Sequence, residues 1–355
     1  MAGLLLILVA LLAYANGSND NSKGVATLVG YGAAEPRKAL VYAAVTTAIG
    51  GMISFWFSGA LIKSFSTGLF AKGLIGLNPS FFTAVLIGAF AWVIFASYVG
   101  LPVSTTHAII GALIGAGLIA VGWQKIQWAI LGRTFVLPLI LSPLLSFSVV
   151  YLLAWPVVWL VRRATMRSVV IEQSVLSDAT NSQSGGVQLL TCEAASIETL
   201  ETVSPAANVI HWISGGLIGF ARGWNDTPKI TALSLLALPR SHSWIGAAIV
   251  IAAMAAGGLL SGEKVLSTLA RKVTPLPLPE SLTASLTTAT LVCLASWDGL
   301  AVSTTQVSTG AIIGAGLKND AQSVQWKKVT EIVLSWVITV PAAGLVAAVA
   351  KWLIH

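Results

Sequence analysis

Charge is what this sequence has least of. Only 9% of its 355 residues are Asp, Glu, Lys or Arg, against roughly a quarter in an average soluble domain. The chain therefore lacks the polar coat that water demands, and a soluble globular protein is excluded. Cysteine is scarce as well: Cys192 and Cys293 form no spacing motif and define no redox compartment. The net charge of +7 comes without any basic run joined to a recognition module, which argues against nucleic acid as a partner. The N-terminus has no basic segment before its apolar stretch from Leu4 to Ala13, so it reads as a first membrane helix and not as a cleaved signal.

What is abundant is apolar length. Hydrophobic residues make up 56% of the chain and mean hydropathy is +0.85. Stretches such as Leu40–Phe57, Phe81–Val99, Leu282–Ser296 and Ile332–Ile354 approach or exceed the roughly 20 residues that cross a bilayer. The sequence predicts about eight to eleven crossing segments, several of them short or broken by Gly and Pro. Basic residues cluster between them at Arg37 and Lys38, Arg162, Arg163 and Arg167, Arg271 and Lys272, and Lys327 and Lys328, where they face anionic lipid and set topology. The expected class is an all-α polytopic protein of the plasma or inner membrane.

Residues 161–204 break the pattern. They open on three arginines, turn polar with five carboxylates, and contain Asn181-Ser-Gln-Ser-Gly-Gly186. This is an expected aqueous linker between a first membrane half (residues 1–160) and a second (205–355). The halves are related. Leu101-Pro-Val-Ser-Thr-Thr-His-Ala-Ile-Ile-Gly-Ala-Leu-Ile-Gly-Ala-Gly-Leu118 aligns without gaps on Leu300–Leu317, with twelve of eighteen positions identical at an offset of 199. Ala15-Asn-Gly-Ser-Asn-Asp-Asn-Ser-Lys23 aligns on Ala221-Arg-Gly-Trp-Asn-Asp-Thr-Pro-Lys229 at an offset of 206. Internal duplication in a polytopic chain is typical of secondary transporters, whose site lies between the repeats near the midplane. Basic residues at the start of the linker favour a cytoplasmic linker, and an uncharged N-terminus fits an outside start; together they give the two halves opposite orientations.

The duplicated residues carry the chemistry. Asp20 and Asp226 sit in apolar surroundings, where an ionised carboxylate costs at least about 2.5 kcal/mol on insertion scales and needs a cation, a partner or a wet cavity. With the amides of Asn19 and Asn225 they make an oxygen-rich set suited to Na⁺, or carboxylates that carry H⁺. Ser104, Thr105 and Thr106, and their counterparts Ser303, Thr304 and Thr305, place hydroxyls where Gly-rich helices begin. Free N–H groups, the positive dipole end and hydroxyl donors together suit an oxyanion. Lys23 and Lys229 follow each Asp by three residues. Either they pair with Asp or snorkel, or their ammonium groups stand where a bound cation would neutralise Asp and the anion. Arg222, four residues before Asp226, is expected to pair with it.

These motifs resemble those of the inorganic phosphate transporter (PiT) family. The resemblance rests on Gly17-Ser-Asn-Asp20 with Gly223-Trp-Asn-Asp226, and on Pro102-Val-Ser-Thr-Thr-His107 with the less complete Ala301-Val-Ser-Thr-Thr-Gln306. Val273-Thr-Pro-Leu276 and Ser335-Trp-Val-Ile-Thr-Val-Pro341 extend it across both halves. It implies two inverted-topology repeats with broken and re-entrant helices, alternating access, and symport of phosphate with Na⁺ or H⁺. It further implies Asn19, Asp20, Asn225 and Asp226 at the coupling ion (Asp20 and Asp226 being the candidate Na⁺ ligands) and the two Ser-Thr-Thr triplets, with Lys23 and Lys229, around phosphate. The chain departs from the family where Ala301 and Gln306 replace Pro and His, which leaves His107 without a symmetric partner. It departs again where Lys23 and Lys229 replace the usual Asn, which points towards H⁺ or a weaker dependence on Na⁺.

Other functions fit the same sequence. Another tetrahedral oxyanion such as sulfate fits the same donors, although only hydrogen phosphate donates a hydrogen bond back to a carboxylate. An intramembrane hydrolase built on Ser104 and His107 needs a base that the second repeat lacks. A channel shares the composition. No cofactor is expected besides the coupling ion, and the sequence leaves open whether the chain works alone or as a homo-oligomer.

Overall fold

The computed structural model describes residues 2–57, 78–153, 159, 205–234, 238, 242–274, 276–300 and 302–354. The expected linker at 161–204, Pro275 and Ala301 lie outside them. Among the described residues the regular structure is helical throughout. The first half contains α1 (Ala2–Asp20), α2 (Ala26–Gly30), α3 (Pro36–Phe57), α4 (Pro79–Val99), α5 (Thr105–Val121) and α6 (Trp128–Leu153). The second contains α7 (Pro205–Ser234), α8 (Ser243–Ser261), α9 (Glu263–Arg271), α10 (Leu278–Trp297), α11 (Thr304–Asn319) and α12 (Trp326–Leu353).

Seven of the described helices are long and apolar enough to cross a membrane. Such helices are apolar on all sides, because their outer faces meet lipid; Leu152, Leu260 and Leu345 all point outward. The helix α7 has length for a crossing at 30 residues, but Arg222, Asp226 and Lys229 lower its hydropathy. Both α5 and α11 are shorter, at 17 and 16 residues. They start at the protein centre and form the inner arms of two re-entrant hairpins, α4–α5 and α10–α11. The architecture is that of a polytopic protein of two inverted repeats with broken helices.

The repeats clasp each other crosswise. In the first, α1 lies along α8 of the second; α3 lies along α7. Glycines permit the backbones to touch: a Cβ on Gly17 would collide with the Met254 carbonyl, and one on Gly257 with that of Tyr14. The equivalent pair is Gly223 against Thr47 and Gly50 against Phe220. Without a hydrophobic drive between helices in lipid, this close approach of small residues supplies the association. The glycine pattern after each Ser-Thr-Thr triplet works the same way, with Gly111 on Val340 of α12 and Gly310 on Pro143 of α6.

The described residues of the two hairpin tips match. The helix α4 ends at Gly100 (φ 82°) and α10 at Gly299 (φ 70°), each in the left-handed region that glycine enters without a Cβ penalty. The Leu101 N–H donates to Ala96 O at 2.9 Å and the Leu300 N–H to Ala295 O at 2.8 Å, the six-to-one bond of a Schellman ending. Ser104 and Ser303 are extended, and their hydroxyls accept the backbone N–H of His107 (3.2 Å) and Gln306 (3.3 Å) to cap α5 and α11.

Candidate functional site

The two tips meet. Thr305 Oγ1, at the second tip, donates to the Val103 carbonyl of the first at 2.8 Å. Around this junction lie the ends of the broken first helix, where α1 gives way to a 3-10 turn at Asn21–Gly24, and the middle of α7. Asn16, Asn19, Asp20, Lys23, Arg222, Asn225, Asp226 and Lys229 are all buried there, as are all six residues of the Ser-Thr-Thr triplets.

Each Asn-Asp motif grips its own hairpin. Asn19 donates to the Leu101 carbonyl (2.9 Å) and to Ser97 Oγ (3.1 Å), while its Oδ1 accepts the Val103 N–H (3.0 Å). Asn225 donates to the Val302 carbonyl (3.2 Å), and its Oδ1 accepts from Ser296 Oγ (3.1 Å). Ser97 and Ser296 are equivalent at the offset of 199, so the asparagines fix hairpin to helix in both halves. The sequence alone does not single out these serines, because a hydroxyl in an apolar helix has no distinguishing signature; only their matched positions in the duplication mark them.

The acidic and basic groups reach across the repeats. Asp20 accepts from Asn16 Nδ2 (2.8 Å), Thr105 Oγ1 (3.2 Å) and Thr305 Oγ1 (3.4 Å). Lys23 contacts Asp20 and Thr305 directly, with Asn19 Oδ1 at 3.2 Å and the Val103 carbonyl at 3.0 Å. Lys229 donates to the Val302 carbonyl (2.8 Å), to Thr106 Oγ1 of the first hairpin (3.1 Å) and to Asp226 Oδ1 (3.4 Å). Thr106 and Thr305 are themselves repeat equivalents, so each lysine binds its own Asp and the other repeat's Thr. Neither lysine snorkels.

Arg222 pairs with Asp226, as the sequence suggests, and does more. Its Nε lies 3.8 Å from Asp226 Oδ2, but its terminal nitrogens donate to first-repeat residues: Asn16 Oδ1 (2.8 Å), Asn21 Oδ1 (2.9 Å) and Thr47 Oγ1 (3.1 Å). Asn16 then bridges both carboxylates, reaching Asp226 Oδ2 at 3.4 Å. In formal charge, Lys23, Lys229 and Arg222 outnumber Asp20 and Asp226 by one. With the N-termini of α5 and α11 entering the same volume, the centre is electropositive.

Other polar residues lie outside this centre. His107 and Gln306 point away, into an apolar cavity of about 530 Å³ between α5, α6, α11 and α12; His107 shares none of the contacts described above for Asp20, Asp226 and the lysines. Asp298 is exposed at the C-terminal end of α10, and Glu263 is exposed at the start of α9.

A model of the phosphate transporter family matches residues 16–347, an interval that contains both Asn-Asp motifs and both hairpins. The chain belongs to the phosphate transporter family. It is 30% identical over 358 residues to a Rhizobium meliloti (strain 1021) protein named "Probable low-affinity inorganic phosphate transporter", covering 96% of this chain and 95% of that one. A Mycobacterium tuberculosis (strain CDC 1551 / Oshkosh) protein of the same name is 29% identical, across 99% of this chain and 78% of its own. A solved structure titled "The sodium-dependent phosphate transporter" superposes with a TM-score of 0.80 at 22% identity, covering 99% and 98% of the two chains, and shares the fold. Membership in this family places the protein among integral, multi-pass membrane transporters and not among hydrolases.

Proposed function

We propose that this chain carries inorganic phosphate across the membrane by alternating access, in symport with a cation, Na⁺ or H⁺. The observation that carries the reading is the buried junction of the two hairpin tips with the two Asn-Asp-x-x-Lys motifs and Arg222, which together bear one formal positive charge in excess. Phosphate enters between Lys23, Lys229 and the two triplets. Ser104 and Ser303 accept a backbone N–H each and keep their own O–H to donate to the anion. Thr105, Thr106, Thr304 and Thr305 supply further donors, and α5 and α11 offer their positive ends. Asn19, Asp20, Asn225 and Asp226 hold the coupling charge. A carboxylate among the donors favours an anion that still has an O–H, hence phosphate and arsenate over sulfate.

Because every one of these groups is buried, access requires the repeats to move against each other. Uptake of labelled phosphate by proteoliposomes holding the purified chain tests the reading. Uptake against a phosphate gradient, blocked by arsenate and spared by sulfate, is the expected result. Uptake that only equilibrates phosphate and saturates at no concentration would indicate a pore.

A further inference from the structure

The two lysines fill the places that a mobile cation would take. Lys23 Nζ is surrounded by a carboxylate oxygen of Asp20, the amide oxygen of Asn19, the Val103 carbonyl and the Thr305 hydroxyl. Lys229 Nζ has three of these four kinds of oxygen, from Asp226, the Val302 carbonyl and Thr106, while the Asn225 amide oxygen accepts from Ser296 instead. Carboxylate, amide, backbone carbonyl and hydroxyl oxygens converging on one point are what a hard monovalent cation takes as ligands. An ammonium group, compact and singly charged with three donors, satisfies the same oxygens.

We propose that Lys23 and Lys229 act as tethered replacements for transported Na⁺, so that phosphate binding and movement by this chain do not require Na⁺. The inference rests on the phosphate-carrier reading above and sharpens it. Three observations support it. First, both carboxylates already have a cation at contact, and a group held three residues away on the same helical segment competes at an effective concentration of about millimolar or higher without leaving the protein. Second, the charge balance closes without added ions. The surplus of one positive charge is neutralised by a phosphate monoanion, whereas a Na⁺ at each Asp would leave three positive charges buried before the anion arrives, a costly state in a low-dielectric interior. Third, the arrangement is duplicated with its cross-repeat partner: each lysine also holds a threonine of the opposite hairpin, so the charge that neutralises Asp also bonds one repeat to the other.

When phosphate enters, its oxygens replace Thr305 and Thr106 as acceptors for the two ammonium groups. The lysines return with the carrier, and no Na⁺ moves with the anion. The driving cation is then H⁺, carried on phosphate itself or at the site.

The deciding experiment is counterflow of labelled phosphate into phosphate-loaded proteoliposomes of the full chain, with NaCl outside replaced by choline chloride at constant ionic strength. Initial rates in the two salts are expected to agree within about twofold; a rate at least about tenfold higher in Na⁺, a difference worth about 1.4 kcal/mol, overturns the proposal. No counterflow in any salt would instead overturn the phosphate-carrier reading, so the two failures are distinct. The Lys23→Gln/Lys229→Gln double variant supplies an independent measurement by calorimetry on purified protein. Its phosphate affinity in choline is expected to fall by at least about tenfold and to recover when Na⁺ is added. Affinity equal to the unaltered chain in choline would also overturn the proposal. If the double variant does not fold, as gel filtration would reveal, the salt comparison on the unaltered chain decides alone.

Discussion

The two halves of the site share a plan and differ in one charge. In the first repeat, Asn16 stands one turn before Asp20 and binds it; in the second, Arg222 stands one turn before Asp226 and mostly binds elsewhere. Asp20 therefore sits among neutral donors plus one lysine, whereas Asp226 lies between two cations. The difference shows how a duplicated motif acquires a direction: the second repeat supplies the extra charge, and the first supplies the amides and hydroxyl that receive it. Arg222 ties α7 to Asn16, Asn21 and Thr47, so the surplus charge and the contact between repeats reside in one side chain.

That asymmetry can be broken at several points. The largest effect is expected at the carboxylates. Asp20→Asn leaves Lys23 buried without its counter-charge, a change that typically costs about 3–5 kcal/mol. Labelled phosphate uptake is expected to fall by at least about a hundredfold (about 2.7 kcal/mol). Asp226→Asn should lower uptake as well, yet destabilise the site by more, since both Lys229 and Arg222 lose an anion; thermal unfolding in detergent separates the two variants.

Next comes Arg222→Asn, which makes the second motif match the first at this position. It leaves the buried Asn16 Oδ1 without the Arg222 donor, at about 1–3 kcal/mol for an unpaired acceptor, while Asn21 Oδ1 keeps its bond from Thr47 Oγ1 (3.3 Å); it also removes the formal surplus charge. Phosphate KM is expected to rise more than it does on Thr305→Val. A variant with unchanged KM but reduced melting temperature would show that Arg222 serves packing alone.

A moderate effect is expected at the crosswise contacts. Gly17→Ala and Gly223→Ala each drive a Cβ into a facing carbonyl, that of Met254 or Thr47, with overpacking costs of about 1–3 kcal/mol. Equal losses in melting temperature would mark the contacts as equivalent; unequal ones would rank the two helix pairs. Thr305→Val removes the hydroxyl between Lys23, Asp20 and Val103, for about 1 kcal/mol or a fivefold rise in phosphate KM. Thr106→Val should do less, since Thr106 bonds Lys229 alone among the contacts described. The smallest effect is expected for His107→Gln, which copies Gln306: uptake should change by less than about twofold, and a large loss would bring the apolar cavity into the transport cycle.

Much of the site was legible because the sequence writes it twice. Two motifs in the same order, with a carboxylate and a lysine three residues apart, point to one charged centre with two contributors, and helical spacing alone brings Asp20 to Lys23 and Asp226 to Lys229. What spacing cannot convey is which segments some 200 residues apart become neighbours. The lysines' bonds to the opposite threonines, Arg222's bonds to Asn21 and Thr47, and the pairing of α1 with α8 all depend on tertiary placement. Thr47 and Ser97 were invisible for another reason: hydroxyls are common in membrane helices, where they return a bond to their own backbone, as Ser97 does to the Val93 carbonyl. The ends of the hairpins were half legible. Gly100 and Gly299 stand at matching positions, but their turn is recognisable only once the helices before them are known to stop there.

The crosswise clasp also sets a schedule for assembly. Tyr14 and Gly17 of α1 rest on Gly257 and Met254 of α8, some 240 residues downstream. At a synthesis rate of about 5–20 residues per second, roughly 10–50 s pass between insertion of the first helix and arrival of its mate. Throughout that interval the newborn first half sits in the bilayer with Asp20 and Lys23 joined to each other, but with Thr305 and Arg222 still unmade. The local ion pair is then a temporary stopper that lets a charged helix end wait in lipid. Produced as two separate polypeptides, the halves should survive the cell's quality-control proteases only when made together, and pulse-chase turnover of each half alone and in company would reveal it.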